Sequence, residues 1–189
     1  MASYTVVFDA CVMYPAPLRS YLMYLANAGL FRARWTEQIH DEWMRNVLLN
    51  NPRITEAMLE RTKQLINENV PDCLIEGYEP LIKGLTLPDM NDRHVVAAAL
   101  KGHAEAIITF NLKDFPASEL NILELSAIHP DEFLCDMFEL DLSSCIKAAQ
   151  QQRSSLKNPP MTTSEYLNCL QKQRLPVFVS KLRPFELML

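Results

Sequence analysis

Four acidic residues, Asp9, Glu42, Asp92 and Asp114, stand at points of the sequence where a sheet-based chain gathers its chemistry. Carboxylates brought into one cleft repel one another and raise each other's pKa values, and a divalent cation removes that penalty. Ligation by oxygen alone selects Mg²⁺ or Mn²⁺ over zinc. An ion held this way activates water and stabilises charge on a phosphate during in-line displacement. These residue types therefore point to hydrolysis of a phosphodiester bond at a metal centre.

Each acid has an ordinary reading beside the chemical one. Asp9 directly follows the apolar run Tyr4-Thr5-Val6-Val7-Phe8, and ligands of open α/β sheets bind beyond the carboxyl ends of strands. A capping role is disfavoured, because the next expected helix opens only near Pro15. Glu42 falls beside Ile39 on the border of the stripe Ile39, Trp43 and Val47, either aimed past the sheet edge or left as a rim glutamate. Asp41 turns further towards solvent. Asp92 projects on the side of Val96 and Ala99, where a carboxylate has to be paired, hydrogen-bonded or metal-bound. Equally, Asp89 can cap that helix with Asp92 in its first turn. Asp114 lies just beyond the run Ala106–Thr109, and taken alone it reads as a turn residue.

The elements that must position these acids follow from local pattern. Tyr4–Phe8 reads as a strand covered on both faces. Pro15 and Pro17 open a helix over Leu18–Asn27, stopped by Gly29. Phe31–Trp35 is a second strand. Thr36 caps a helix reaching about Asn50, and Ile54–Glu68 forms another. Pro71–Leu87 reads as a linker with a turn of helix near Tyr78–Ile82. A helix over Asn91–Lys101 closes at Gly102, followed by strands at Ala106–Thr109 and Leu125–Ile128. Beyond Pro130 the pattern is helical: Asp131–Glu139, Ser143–Arg153 and Thr162–Arg174. Alternating strands and helices predict an α/β class with a parallel sheet sandwiched by helices.

Val6-Val7-Phe8-Asp9-Ala10, Glu42 after the second strand, Asp92-Arg93-His94-Val95-Val96-Ala97-Ala98-Ala99 and Ile107-Ile108-Thr109-Phe110-Asn111-Leu112-Lys113-Asp114-Phe115 together resemble the PIN-domain nucleases. The resemblance covers about residues 4–130 and is nearest to the VapC-like toxins of type II toxin–antitoxin pairs, in a subgroup with a helical C-terminal extension. It implies a three-layer α/β/α PIN-like fold, with a catalytic domain over 1–130 and a helical extension over 131–189. It also implies a magnesium-dependent endoribonuclease, with Asp9, Glu42, Asp92 and Asp114 as catalytic metal ligands. Asp89, Thr109 and Asn111 match supporting positions. One departure is Cys11, where many relatives carry Asn, Ser or Thr, so the support of Asp9 is expected to differ. The implied partners are an RNA substrate such as tRNA and an antitoxin protein, and a second copy of the chain is a further candidate partner. The apolar residues near Leu22, Leu25 and Leu30 offer a surface for such a partner, or else belong to the core.

Other readings are narrowed by the residues present. An aspartate-nucleophile phosphatase wants a second Asp where Cys11 stands, and a nucleotide-binding loop wants glycines that Asp9–Leu18 lacks. A DNA-directed nuclease using the same acids and a non-enzymatic PIN scaffold acting as a binding partner remain as alternatives. His40, His94, His103 and His129 form no metal-spaced set; His94 either tunes the site or packs. Trp35 and Trp43 read as core. The five cysteines are scattered without a C-x-x-C, which argues against a zinc ribbon or a disulfide framework. No run suits a membrane span and the first residues lack a signal-peptide pattern, so a cytoplasmic protein without a membrane partner is expected.

The net charge of −5 conceals an asymmetry. Residues 1–141 carry 11 Lys/Arg against 21 Asp/Glu, whereas residues 142–189 carry 7 against 2. A polyanion needs basic groups to offset its phosphates. Arg19, Arg45, Arg93 and Lys113 are the local RNA-binding candidates, and the extension offers the denser supply, including Lys172 and Arg174.

Overall fold

The structure, a computed structural model, describes residues 4–189; the Met1–Ser3 start of the N-terminal stretch lies outside the described residues. Strand β1 (Thr5–Phe8) lacks polar alternation because both of its faces are covered, and it is buried along its whole length. It lies between β2 (Arg32–Arg34) and β3 (Ala106–Ile108), with β4 (Ser126–Ile128) outside β3; the order is β2-β1-β3-β4 and every pair is parallel. Phe8 is in register with Ile108, so Asp9 and Thr109 leave the sheet at the same level.

Helices cover the sheet to give the three-layer α/β/α arrangement. The chain passes from Asp9 directly into α1 (Ala10–Met13), a short helix the sequence pattern did not announce. α2 (Ala16–Asn27) carries Pro17 in its first turn and ends before Gly29, whose φ of +81° suits a residue without Cβ. The Thr36 hydroxyl caps α3 (Glu37–Asn50) by accepting from the Ile39 N–H at 3.1 Å, and Thr55 caps α4 (Glu56–Asn69). After α5 (Glu79–Ile82), α6 (Arg93–Lys101) packs on β1 and β3 with Val95–Ala99 buried. Beyond α7 (Ala117–Leu120), α8 (Pro130–Leu140) sets the Phe133 ring 4.9 Å from Phe31.

A buried polar relay fixes α3 against α4. Trp43 Nε1 donates to His40 Nδ1 at 3.0 Å, which leaves the proton on His40 Nε2 to meet Asn67 Oδ1 at 2.9 Å; Trp35 Nε1 donates to the same oxygen. Both tryptophans belong to the core.

The C-terminal helices are α9 (Leu142–Ser155), α10 (Thr163–Lys172) and α11 (Pro176–Leu182). α10 stops two residues short of the expected Arg174, and α11 is a separate helix. α9 runs along α2 and α11 along α8. Tyr21 donates to the Cys145 carbonyl at 2.9 Å, Gln152 donates to the Pro17 carbonyl at 2.8 Å, and Tyr166 donates to Gln152 at 2.7 Å. Asp131 is buried and accepts from the Val177 and Phe178 N–H groups at 3.1 and 2.8 Å, clasping the start of α11. Leu22, Leu25 and Leu30 are core rather than a free surface. Among the described residues no helix is long and apolar enough to cross a membrane.

Candidate functional site

Asp9, Glu42 and Asp92 line one polar cleft of about 590 Å³ at the carboxyl edge of the sheet, together with Cys11, Gln38, Arg45, His94 and Asn111. Asp9 is placed there by β1. It occupies the N-cap position of α1, but its carboxylate caps nothing; only its backbone carbonyl serves the helix, accepting from the Val12 and Met13 N–H groups. The distance to Pro15 gives no sign of α1, yet the Asp9 side chain is left available, as expected.

The Asp9 carboxylate is buried and held through one oxygen. Thr109 Oγ1 donates to Oδ2 at 2.7 Å, and the Cys11 thiol donates to the same oxygen at 3.0 Å. Thr109 is itself oriented by the Asn111 N–H, which donates to its hydroxyl at 3.0 Å. Burial and the Asp9 charge push the Cys11 thiol up to about 12, so it remains a protonated donor. The hydroxyl of Thr109 thereby provides the shorter tether, and Cys11 adds a weaker one.

Glu42 reaches the cleft from α3 and is likewise held by one oxygen. His94 Nε2 lies 3.1 Å from Oε1, and Gln38 Nε2 donates to the same atom at 3.3 Å. His94 is therefore buried beside the site as a partner of Glu42, a pairing that spacing along the chain does not reveal. Its Nδ1 is buried with no hydrogen-bond partner among the described residues. Asp41 is exposed, as the stripe argument expects.

Asp92 stands at the N-cap position of α6 without a side-chain cap bond, while Asp89 accepts from the Asn91 N–H at 2.8 Å in the preceding turn. The capping role thus falls to Asp89, which caps the short 3-10 turn Met90–Asp92, and Asp92 stands in that first turn. The Asp92 carboxyl is pushed up to about 6, first by desolvation and then by the charges of Asp9, Asp89 and Asp114, with His94 opposing. Asp114 does not line the cleft, but its charge is felt at Asp92.

The donor set fits a hard divalent cation in its chemistry: it is oxygen-rich, its charges repel, and the described hydrogen bonds to Asp9 and Glu42 engage one oxygen of each. As the side chains stand, no three His, Cys, Asp or Glu among the described residues are grouped closely enough to enclose an ion.

Residues 5–113, more than half of the chain, match the family profile described as PIN domain. The chain belongs to the PIN-domain family. Residues 130–184 match the profile of the VapC50 C-terminal domain. Over 107 residues the chain is 36% identical to a protein described as "Putative ribonuclease VapC50" from Mycobacterium tuberculosis (strain ATCC 25618 / H37Rv); the match covers 57% of this chain and 62% of that protein. The chain therefore spans less than two thirds of that relative's length. No solved structure matches the chain.

The basic candidates of this PIN domain divide by position. Arg45 lines the cleft. Arg93 is half-buried, with Nε donating to the Met90 carbonyl at 3.0 Å, and Lys113 is exposed beside Asp114. Arg19 is corrected: it is buried, donates to the Met13 and Tyr14 carbonyls, and lies 4.4 Å over the Trp43 ring, so it closes the end of α1 and does not face a phosphate.

Proposed function

We propose that this PIN-domain protein is a metal-dependent endoribonuclease and the toxin of a toxin–antitoxin pair, acting in the cytoplasm. The observation that carries the reading is the convergence of Asp9, Glu42 and Asp92 on one polar cleft, where desolvation and then the charges of neighbouring acids push Asp92 up to about 6. Asp9, Glu42, Asp92 and Asp114 would hold Mg²⁺ or Mn²⁺. Such an ion, when bound, supplies an activated water and neutralises charge on the phosphate. The chain's own groups do the positioning: Thr109 and Cys11 fix the plane of the Asp9 carboxylate, and His94 with Gln38 fixes Glu42. Arg45 offers a cation on the cleft wall to an incoming phosphate. The likeness to the Mycobacterium tuberculosis protein described as a putative ribonuclease favours RNA as substrate. A chain that cuts its own cell's RNA requires an inhibitor, so an antitoxin is part of the proposal.

The test is cleavage of labelled RNA and DNA with Mg²⁺ and with EDTA, by the wild type and Asp9→Asn. Magnesium-dependent cutting of RNA, lost in the variant, supports the proposal. Equal cutting of DNA reassigns the substrate, and binding without cutting of either reassigns the chain as a scaffold.

A further inference from the structure

The loop joining α10 to α11 brings Arg174 back onto the sheet edge. Arg174 follows the end of α10 with φ +64°, a left-handed position that usually falls to Gly or Asn and is costly for a residue with a long side chain. Its guanidinium lies 4.8 Å over the ring of Phe110. It is exposed, and no carboxylate pairs with it among the described residues.

Phe110 sits between Thr109, which tethers Asp9, and Asn111, which lines the acidic cleft, and its own N–H donates to Cys11 Sγ at 3.3 Å. One Cα step of about 3.8 Å therefore separates it from each of those residues. Phe110 also meets His129, ring centroids 5.2 Å apart and edge-on. His129 Nδ1 accepts from the Asp131 N–H at 3.1 Å, which puts the ring proton of the neutral imidazole on Nε2 as a free-standing donor. Desolvation and the Arg174 charge both lower the His129 pKa, which keeps that tautomer neutral.

An unpaired guanidinium, a half-buried aromatic ring and an oriented imidazole donor thus stand together beside a cleft lined with acids. This combination suits a polymer that carries a negative charge and a flat base at each step: the cation meets phosphate, and the ring supplies a stacking face. The catalytic part of the chain is strongly acidic, so a cation delivered from the extension supplies what that part lacks.

We propose that Phe110, His129 and Arg174 form an RNA subsite next to the acidic cleft, with Arg174 of the C-terminal extension gripping a phosphate that flanks the scissile bond. This rests on the nuclease reading above and assigns the extension a part in holding substrate.

The test uses the full chain carrying Asp9→Asn, a short fluorescein-labelled single-stranded RNA, and fluorescence anisotropy in EDTA across a range of salt concentrations. Arg174→Gln should weaken binding about fivefold or more at low salt and reduce the slope of log affinity against log salt by about 0.7, the share of one phosphate contact on a single strand. Arg174→Lys should retain that slope while losing part of the affinity, because it keeps the charge without the planar face. Phe110→Leu should weaken binding about fivefold or more with the slope unchanged. If Arg174→Gln also lowers the melting temperature, the comparison of Gln with Lys, made below both transitions, decides. Equal slopes for Lys, Gln and the parent overturn the subsite while RNA cleavage by the wild type keeps the nuclease reading intact. A parent that binds no RNA at any salt concentration overturns the subsite, and a wild type that also fails to cut RNA overturns the reading beneath it.

Discussion

Replacing Asp92 by Asn removes a charge that desolvation and the neighbouring carboxylates both penalise in the metal-free protein. The carboxyl is pushed up to about 6 from an ordinary value of 3.8. A shift of about two units corresponds to about 3 kcal/mol at 1.36 kcal/mol per unit. Asp92 is only partly buried, so screening by water reduces this to about 1 kcal/mol. The sign follows from linkage: the folded state resists ionisation more than the unfolded state does. The penalty is therefore complete above pH 6, shrinks as the pH falls, and is gone below about 3.8. In EDTA near neutral pH, Asp92→Asn should melt about 2–4 °C higher than the wild type, the shift that ~1 kcal/mol produces in a chain of this size. At about pH 4 the difference should disappear. Adding Mg²⁺ should raise the wild-type melting temperature and leave the variant almost unchanged. Thermal unfolding followed by circular dichroism reads all three. A variant that is equally or less stable at neutral pH in EDTA would refute the claim that burial and neighbouring carboxylates penalise the charge at this position.

Three further substitutions or conditions follow from the same geometry. Thr109→Val removes the donor to Asp9 and the acceptor for the Asn111 N–H; it should lower metal affinity about 10–100-fold, read by calorimetric titration with Mn²⁺, and destabilise the fold by about 1–3 kcal/mol in urea. Asp131→Ala leaves the Val177 and Phe178 N–H groups without their acceptor, and protease digestion should then release the C-terminal helices at a stability about 2 kcal/mol below the wild type. His40 has its pKa lowered chiefly by burial, so the unfolded chain takes up that proton first; stability should fall as the pH drops below 6.5, and His40→Gln should flatten that part of the profile in chemical denaturation.

The sheet and the position of Asp9 were legible because a buried parallel strand needs an unbroken apolar run, and Tyr4–Phe8 and Ala106–Thr109 supply two. Thr36 announced α3 by its hydroxyl, and Gly29 announced the end of α2. Four-residue α1 escaped because a single turn carries no periodicity, and α11 escaped because Leu175-Pro176 can open a helix as readily as break one. In the cleft, the spacing of Glu42 on α3 left it on a border, and only the tertiary contact with His94 shows which way it faces. Arg19 misled for a similar reason: a charged residue reads as exposed until the carbonyls that end α1 and the face of Trp43 are seen to receive it. Arg174 could be flagged by charge alone, but its seat on Phe110 depends on a left-handed turn that composition does not predict.

Single-turnover cleavage of a labelled RNA by the wild type and Asp9→Asn, at matched RNA occupancy in Mg²⁺, tests most directly whether the acids at the sheet edge cut RNA. The change removes one charge with little change in volume, so binding should hold or tighten while the cleavage rate falls at least about a hundredfold, beyond what loss of an outer partner of a metal ligand produces. Cleavage by Asp9→Asn within a few-fold of the wild type would contradict the account.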